Sequence, residues 1–220
     1  MTQQRVIVAD DHPLFREALS LALKQALGDV AIVQAGDMDE LQQALAGSQL
    51  ADLVLLDLHM PGVQGFSALI YLRAHHPELP VCLISANNNT AVIQRALDHG
   101  AAAFIPKSAS VDEISQVLET VLAGEIWHPS EGEVRGSGSD ELDVAQRLGD
   151  LTPQQFRVLM MLADGLLNKQ IAFELGISEA TVKAHMTAIF RKLEVSNRTQ
   201  AVLLLNQLAV DSPEKAAGVL

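Results

Sequence analysis

The feature that most constrains the fold is a regular alternation between short β-branched runs and longer amphipathic stretches, which extends from residue 5 to residue 124. Glycine, proline or aspartate marks each change, as is typical of the ends of strands and helices. Strands are predicted at residues 6–9, 30–35, 53–56, 81–85 and 102–105. Five successive strand–helix units predict an α/β fold, a doubly wound five-stranded parallel sheet with helices on both faces.

The remainder of the chain has a different character. Residues 125–150 contain glycine, serine and acids with little apolar content before Leu142, which predicts an acidic linker in which Leu142, Ala145 and Leu148 could form a short helix. Beyond it, four helices are predicted at residues 153–164, 169–175, 178–193 and 199–210. Thr152 and Gln155 are spaced to form a capping box at the start of the first. The second and third helices, joined by a short turn at Gly176, are typical of a helix-turn-helix.

Charge is distributed unevenly over the three predicted segments, which are an N-terminal domain (1–124), the linker (125–150) and an all-α C-terminal domain (151–220). The first segment carries 14 acidic and 6 basic side chains, whereas the last carries 6 acidic and 7 basic. The whole chain has a net charge of −12, so only the last segment is suited to approach a polyanion. Any DNA contact is therefore expected after residue 150.

The composition also bears on the cellular compartment. A single cysteine, Cys82, cannot form an internal disulfide, which suits a reducing cytoplasm. The first residues lack the apolar region of a signal peptide, and every apolar run is too short to cross a bilayer. We expect a cytoplasmic protein with no membrane partner.

Polar side chains stand at the ends of the predicted strands, namely Asp10, Asp11, Asp57, Ser85 and Lys107. In a doubly wound sheet these strand ends share one edge. Three neighbouring carboxylates repel one another unless a hard cation such as Mg²⁺ neutralises them. Lys107 and Ser85 could then contact phosphoryl oxygens, so the set suits phosphoryl transfer to Asp57. Taken singly, each residue can also be read as a solvated turn, a strand-end cap or a surface lysine.

Residues 5 to about 124 resemble the receiver domain of two-component response regulators, which has a flavodoxin-like fold. The matching residues are Asp10, Asp11, Asp57, Met60-Pro61-Gly62, Ser85-Ala86, Phe104 and Lys107. The resemblance implies that Asp57 is the phosphoacceptor of a sensor histidine kinase, with Ser85, Lys107 and Phe104 serving the switch. It also implies that Asp10, Asp11, Asp57 and the backbone carbonyl of His59 bind Mg²⁺. Simple core packing explains Phe104 equally well.

The third helix of the C-terminal domain is predicted to have two distinct faces. Its buried stripe is Val182, Met186, Ile189 and Leu193. Lys183, Thr187 and Arg191 form an outward stripe, and the small Ala184 lets the helix enter a major groove closely. Arg191, Lys192 and Arg198 suit contacts to DNA phosphates. An ordinary solvated helix face is the alternative explanation of these charges.

Residues 151–202 resemble the DNA-binding domain shared by quorum-sensing activators and the nitrate-response class of response regulators. The matching residues include Leu151-Thr152, Val158-Leu159, Asp164-Gly165, Asn168-Lys169, Ile171-Ala172, Ile177-Ser178, Thr181-Val182-Lys183, His185 and Arg191-Lys192-Leu193. This resemblance implies that Lys183, Ala184 and Thr187 face the bases. The complete chain thus resembles a response regulator of the nitrate-response class.

The C-terminal domain has few basic residues, so one copy should bind DNA weakly and two copies far more tightly. The fourth predicted helix is apolar over more than one face. We therefore expect Val202 and Leu205 to contribute to a homodimer contact, with packing inside the domain as the alternative.

The sequence as a whole predicts a DNA-binding transcriptional response regulator rather than an enzyme. Phosphorylation of Asp57 by a sensor histidine kinase is expected to control it, and a homodimer is expected when it is phosphorylated or bound to promoter DNA. In the unphosphorylated chain we expect the acidic receiver to dock near the recognition helix. Two alternatives stay open, a metal-dependent phosphohydrolase using Asp10-Asp11-His12 and Asp57-Leu58-His59, and a DNA-binding regulator that does not depend on phosphorylation.

Overall fold

The computed structural model describes residues 3–47, 49–127 and 139–210. The N-terminal domain consists of β1 (Gln4–Ala9), α1 (Pro13–Leu27), β2 (Val30–Ala35), α2 (Met38–Leu45), β3 (Leu53–Asp57), α3 (Ser67–His75), β4 (Val81–Ser85), α4 (Thr90–Asp98), β5 (Ala103–Pro106) and α5 (Val111–Leu122). The strands form one parallel sheet in the order β2-β1-β3-β4-β5. The predicted doubly wound sheet is confirmed.

The central strands are buried on both faces because helices cover both sides of the sheet. Val8 and Leu55 are aligned in adjacent strands and belong to the hydrophobic cluster under α1 and α5. Their neighbours Ile7 and Leu56 point the other way and pack in the cluster under α2, α3 and α4. Two-sided burial explains why these strands read as continuous apolar runs rather than alternating ones.

The chain from residue 139 to residue 208 is helical apart from the turns between helices, and α6, although it lies in the predicted linker, is described here with the C-terminal domain. Its helices are α6 (Ser139–Gly149), α7 (Pro153–Ala163), α8 (Asn168–Leu175), α9 (Glu179–Lys192) and α10 (Arg198–Leu205), followed by a short 3-10 helix at Asn206–Leu208. The capping box at the start of α7 is present, since Thr152 and Gln155 exchange backbone-to-side-chain hydrogen bonds. Gly176 ends α8 with a positive φ of 63°, a conformation that glycine adopts without strain, and so makes the tight turn into α9.

Two segments differ from the sequence-based expectation. The last helix was expected to continue to residue 210, but α10 ends at Leu205 and Ala209 is extended. The backbone carbonyls of this end bind groups of the N-terminal domain instead of continuing a helix, since Arg95 donates to those of Gln207 and Ala209. Within the expected linker, α6 is an eleven-residue helix, and the glycine-rich stretch before it lies outside the described residues. The domain boundaries at residues 124 and 150 stay predictions from the sequence.

The two domains pack against each other through α3 and α6 and through the start of α7. Buried residues of both domains belong to one hydrophobic cluster. The rings of Tyr71 and Phe156 lie 4.8 Å apart across the boundary. Arg157 of α7 also forms an ion pair with Asp39 of α2.

None of the helices in the described ranges combines the length and hydrophobicity that crossing a membrane requires.

Candidate functional site

Two buried carboxylates meet at the carboxyl edge of the sheet. Asp57 is the last residue of β3, and Asp10 directly follows β1, whose last residue is paired with Leu56. This register places the two carboxylates side by side, and each residue is only 1% exposed. The structure therefore brings together the acids that the strand ends predicted to meet.

Lys107 connects the two acids. It follows β5, where its backbone N–H donates to the carbonyl of Ser85 over 2.8 Å. Its Nζ lies 2.7 Å from Oδ2 of Asp10 and 2.9 Å from Oδ2 of Asp57. One ammonium thus serves two buried carboxylates, which leaves one negative charge of the trio uncompensated.

The electrostatic environment of this pocket favours the binding of a cation. Burial raises the pKa of Asp57, and the charge of Asp10 adds to the effect, while Lys107 and the backbone N–H of His59 act in the opposite direction. Burial alone would lower the pKa of Lys107, but the hydrogen bonds and charges of Asp10 and Asp57 outweigh it and the pKa is raised. The lysine therefore stays charged, and the pocket still lacks positive charge.

The donor set fits a hard divalent cation. Ligand atoms of Asp10, Asp11, His12 and Asp57 all lie within 4.8 Å of one another. Oδ1 of Asp57 is buried and has no hydrogen-bond partner among the described residues. A buried carboxylate oxygen without a partner is costly unless a charge neutralises it. Asp11 lies at the rim of the pocket and is partly exposed. Mg²⁺ binds carboxylate oxygens in such positions because it can keep some of its water ligands there.

The predicted switch residues lie at different depths. Ser85 ends β4 next to the pocket and is fully buried, and its Oγ accepts a hydrogen bond from the backbone N–H of Asn87. Phe104 is 1% exposed and packs in the hydrophobic core, as the packing alternative requires. The imidazole of His59 points toward the C-terminal domain, where Nε2 lies 3.2 Å from the carbonyl oxygen of Val210.

The recognition helix α9 has the two faces that its sequence predicts. Val182, Ile189 and Leu193 are completely buried, whereas Met186, the fourth residue of the predicted stripe, is partly buried against the core. The opposite face consists of Lys183, Ala184, Thr187 and Arg191, all exposed. This exposure differs from the expectation that the receiver docks near α9, because the receiver packs instead on α6, α7 and the end of α10.

Two basic residues expected at DNA phosphates have other partners. Lys192 donates to the carbonyl of Asp150 over 2.7 Å and to Oε1 of Gln155 over 2.8 Å. Arg198 donates to the carbonyls of Leu162 and Leu166 at the end of α7. Both cations satisfy the backbone groups of their own domain, so in this arrangement they hold helices together rather than project toward DNA.

One of the two expected dimer contacts is also misplaced. Leu205 is completely buried in the core of its own chain, so it offers no surface to a second copy. The intradomain alternative is correct for this residue. Val202 is half-buried, and the exposed apolar residue of α10 is Leu203, at 60%. The sequence missed Leu203 because an apolar pattern on several faces does not indicate which face is covered.

Comparison with known proteins identifies both domains. Residues 6–119 match the model of the response regulator receiver domain, and residues 150–205 match that of bacterial regulatory proteins of the luxR family. The chain belongs to the response regulators. Its receiver and LuxR-type helix-turn-helix domains make it a DNA-binding transcriptional regulator, as the sequence predicted.

Known relatives align with this chain over most of both lengths. The glycerol metabolism activator of Pseudomonas putida is 37% identical, over 90% of this chain and 93% of that protein. The nitrate/nitrite response regulator protein NarL of Escherichia coli K12 is 30% identical, over 92% of this chain and 94% of that one. Among solved structures, RcsB dimers bound to DNA match with a TM-score of 0.55 and 25% identity, over 94% of this chain and 99% of that one.

Proposed function

We propose that Asp57 is the phosphoacceptor of a sensor histidine kinase and that its phosphorylation controls promoter binding by α9. The observation that carries the proposal is the buried carboxylate of Asp57, which is held through Oδ2 by Lys107, while Oδ1 has no hydrogen-bond partner within the part of the chain that the structure describes. A receiver domain at residues 6–119 supports a kinase as the phosphoryl donor.

In the transfer step, a carboxylate oxygen of Asp57 forms a bond to phosphorus as the bond from phosphorus to the histidine nitrogen of the kinase breaks. Asp10, Asp11 and Asp57 would hold Mg²⁺, with the carbonyl of His59 as a further expected ligand. When bound, Mg²⁺ neutralises charge on the carboxylates and on the transferred group. The ammonium of Lys107, which donates to Oδ2 of Asp57 before the transfer, would afterwards donate to a negatively charged phosphoryl oxygen.

The acyl phosphate that results brings new hydrogen-bond acceptors next to buried groups. The hydroxyl of Ser85 lies at the adjacent strand end, and we propose that it turns toward a phosphoryl oxygen. Phe104 lies in the core on the neighbouring strand and would repack with it. These movements are the switch.

For DNA binding we propose that Lys183, Ala184 and Thr187 face the bases and that Arg191 contacts the backbone. Their exposure on one face of α9 supports this role. Two chains would bind together, because few cations per domain release few counterions and give weak binding alone. A homodimer would therefore form on DNA or after phosphorylation, and RcsB is likewise found as dimers bound to DNA.

The alternative of a phosphohydrolase explains less of the molecule. It uses the same carboxylates but leaves the exposed face of α9 without a role. A covalent phosphoryl group on Asp57 that controls DNA binding by α9 explains both the carboxylate pocket and the exposed face of α9. We accordingly propose regulation by phosphorylation rather than hydrolysis as the purpose of the pocket.

The test is to incubate the full chain with Mg²⁺ and a small acyl phosphate, and to measure its mass and map the modified residue. We expect the mass of one phosphoryl group to be added at Asp57, and no addition in Asp57→Asn. Asp29→Asn, which changes an exposed acid of the same domain, is the matched control and should still be modified. Multiple turnover of a phosphoester without a covalent adduct would instead support the hydrolase.

A further inference from the structure

One side chain at the carboxylate pocket has no role in the function proposed above. His12 directly follows Asp10 and Asp11, and its Nδ1 lies 3.2 Å from Oδ1 of Asp10 and 2.6 Å from Oδ1 of Asp11. The backbone N–H of His12 also donates to Oδ1 of Asp10 over 2.8 Å. The imidazole and the two carboxylates therefore face the same space at the rim of the pocket.

The start of α1 fixes the position of this imidazole. The carbonyl of His12 accepts hydrogen bonds from the backbone N–H groups of Phe15 and Arg16, over 3.1 and 3.0 Å. Within the described residues, the His12 side chain makes no capping hydrogen bond to the helix. Pro13, at the first helical position, has no N–H that would need a cap. The backbone of His12 thus begins the helix, while its ring contacts the pocket.

The ring nitrogen that faces the carboxylates is placed as a metal ligand would be. Carboxylate oxygens only accept hydrogen bonds, so the contacts of Nδ1 require a proton on that nitrogen. Adjacent ligands of an octahedral cation, each roughly 2.1 Å from the metal, lie about 3 Å apart. The two distances from Nδ1 to the carboxylate oxygens lie on either side of this value. A cation can therefore take the place of the proton, and the neutral ring then carries its proton on Nε2.

Resting on the cation site proposed above, we propose that His12 is a specificity-determining ligand that raises the preference of the pocket for transition-metal dications over Mg²⁺. Ligand atoms of Asp10, Asp11, His12 and Asp57 lie within 4.8 Å of one another. An imidazole nitrogen binds first-row transition metals well, whereas Mg²⁺ favours oxygen ligands. A pocket that offers carboxylates alone would have this preference less strongly.

The opposite role for His12 is that of a competitor. A ring that only hydrogen-bonds Asp10 and Asp11 would have to leave before any cation binds. Its removal would then raise the affinity for Mg²⁺ and for transition metals alike. Loss of a nitrogen ligand instead lowers the affinity for transition metals selectively, because Mg²⁺ gains little from nitrogen. The ratio of the two affinities therefore separates a ligand from a competitor, and the short span of the four ligand atoms favours the ligand.

The deciding experiment compares His12→Ala with the matched control His76→Ala in the untagged full chain. His76 directly follows α3, so it lies at the edge of the sheet opposite the pocket. Co²⁺ affinity is measured by titration calorimetry, and Mg²⁺ affinity by competition against Co²⁺. We expect the ratio of Co²⁺ to Mg²⁺ affinity to fall about tenfold in His12→Ala, since even indirect contacts to a metal are worth that much. His76→Ala should match the unaltered chain.

A second measurement does not depend on the folding of a variant. The unpaired electrons of Co²⁺ shift the ring protons of a bound imidazole far outside the ordinary range of proton NMR. The unaltered chain with bound Co²⁺ should show such signals, and they should vanish when its histidine rings are deuterated. The same signals should be absent from His12→Ala and present in His76→Ala.

Two results would each overturn this role of His12. One is an unchanged ratio of affinities in His12→Ala, and the other is the absence of shifted ring signals from the unaltered chain. A chain that gains no phosphoryl group on Asp57 with either metal would instead overturn the proposed function. Neither metal-binding measurement includes the phosphoryl transfer, so the two failures are distinguishable.

Discussion

Nζ of Lys107 lies 2.9 Å from Oδ2 of Asp57, although the two residues are fifty positions apart in the sequence. They meet because β3 and β5 end at the same edge of a parallel sheet. The contact places the only ammonium of the described pocket between two buried carboxylates. Local stability and phosphoryl chemistry therefore depend on the same side chain.

Replacing Lys107 by Ala should destabilise the receiver by about 2 kcal/mol, because Asp10 and Asp57 would remain buried without a counter-ion. We take a value below that of a fully buried pair, since Lys107 is partly exposed to screening solvent. Urea denaturation in a metal-free buffer measures the loss. Addition of Mg²⁺ should recover more stability in Lys107→Ala than in the control Lys24→Ala, and equal recovery would contradict the assignment of the pocket.

Substitutions of the two neighbouring basic residues Arg191 and Lys192 should have different effects on DNA binding. Arg191→Ala should weaken binding and reduce the slope of log affinity against log salt by about one, as expected for one lost phosphate contact. Lys192→Ala should lower thermal stability instead, because Lys192 bonds Asp150 and Gln155 inside the domain. Its salt slope should be unchanged. A reduced slope for Lys192→Ala would show that its internal bonds are exchanged for DNA contacts.

Substitutions at two apolar positions of α10 should likewise have different effects, because Leu205 lies in the core and Leu203 on the surface. Leu205→Ala should cost about 2–5 kcal/mol of stability, as for other buried leucines. Leu203→Ser should leave the thermal midpoint nearly unchanged and weaken the DNA-bound dimer. Analytical ultracentrifugation with a two-site DNA fragment measures the second effect. A fully dimeric Leu203→Ser complex of unaltered affinity would exclude Leu203 from the contact.

Cys82 should be chemically silent in the native protein. Burial in β4 raises the pKa of its thiol to about 12, so the reactive thiolate is scarce at neutral pH and is also shielded. A colourimetric thiol reagent should react promptly only after denaturant is added. Prompt reaction without denaturant would show that β4 opens in the native state.

The fold was predictable because it depends on short-range patterns. Alternating apolar runs and breakers are local, and the burial of parallel strands makes the runs unmistakable. The pocket followed from them, because residues at strand ends such as Asp10 and Asp57 must converge once the sheet is parallel. The stripes of α9 followed from helical periodicity in the same way.

The roles of the other residues depend on contacts with distant parts of the chain, which no local sequence pattern predicts. Arg198 has the same sequence character as a phosphate-binding arginine, yet its guanidinium bonds the end of α7. Arg95 and Glu141 are unremarkable charges until the two domains meet and they form an ion pair. Gly65 resembles an ordinary loop glycine, and only the approach of Leu208 shows what a side chain there would disturb.

The central claim is that phosphorylation of Asp57 controls DNA binding, and the most direct test is promoter affinity measured on the same sample before and after modification. Fluorescence anisotropy with a two-site DNA fragment would be read alongside the intact mass of the protein. We predict that affinity rises as the phosphorylated fraction rises, and that Asp57→Asn shows neither change. A fully phosphorylated chain with unchanged DNA affinity would contradict the account.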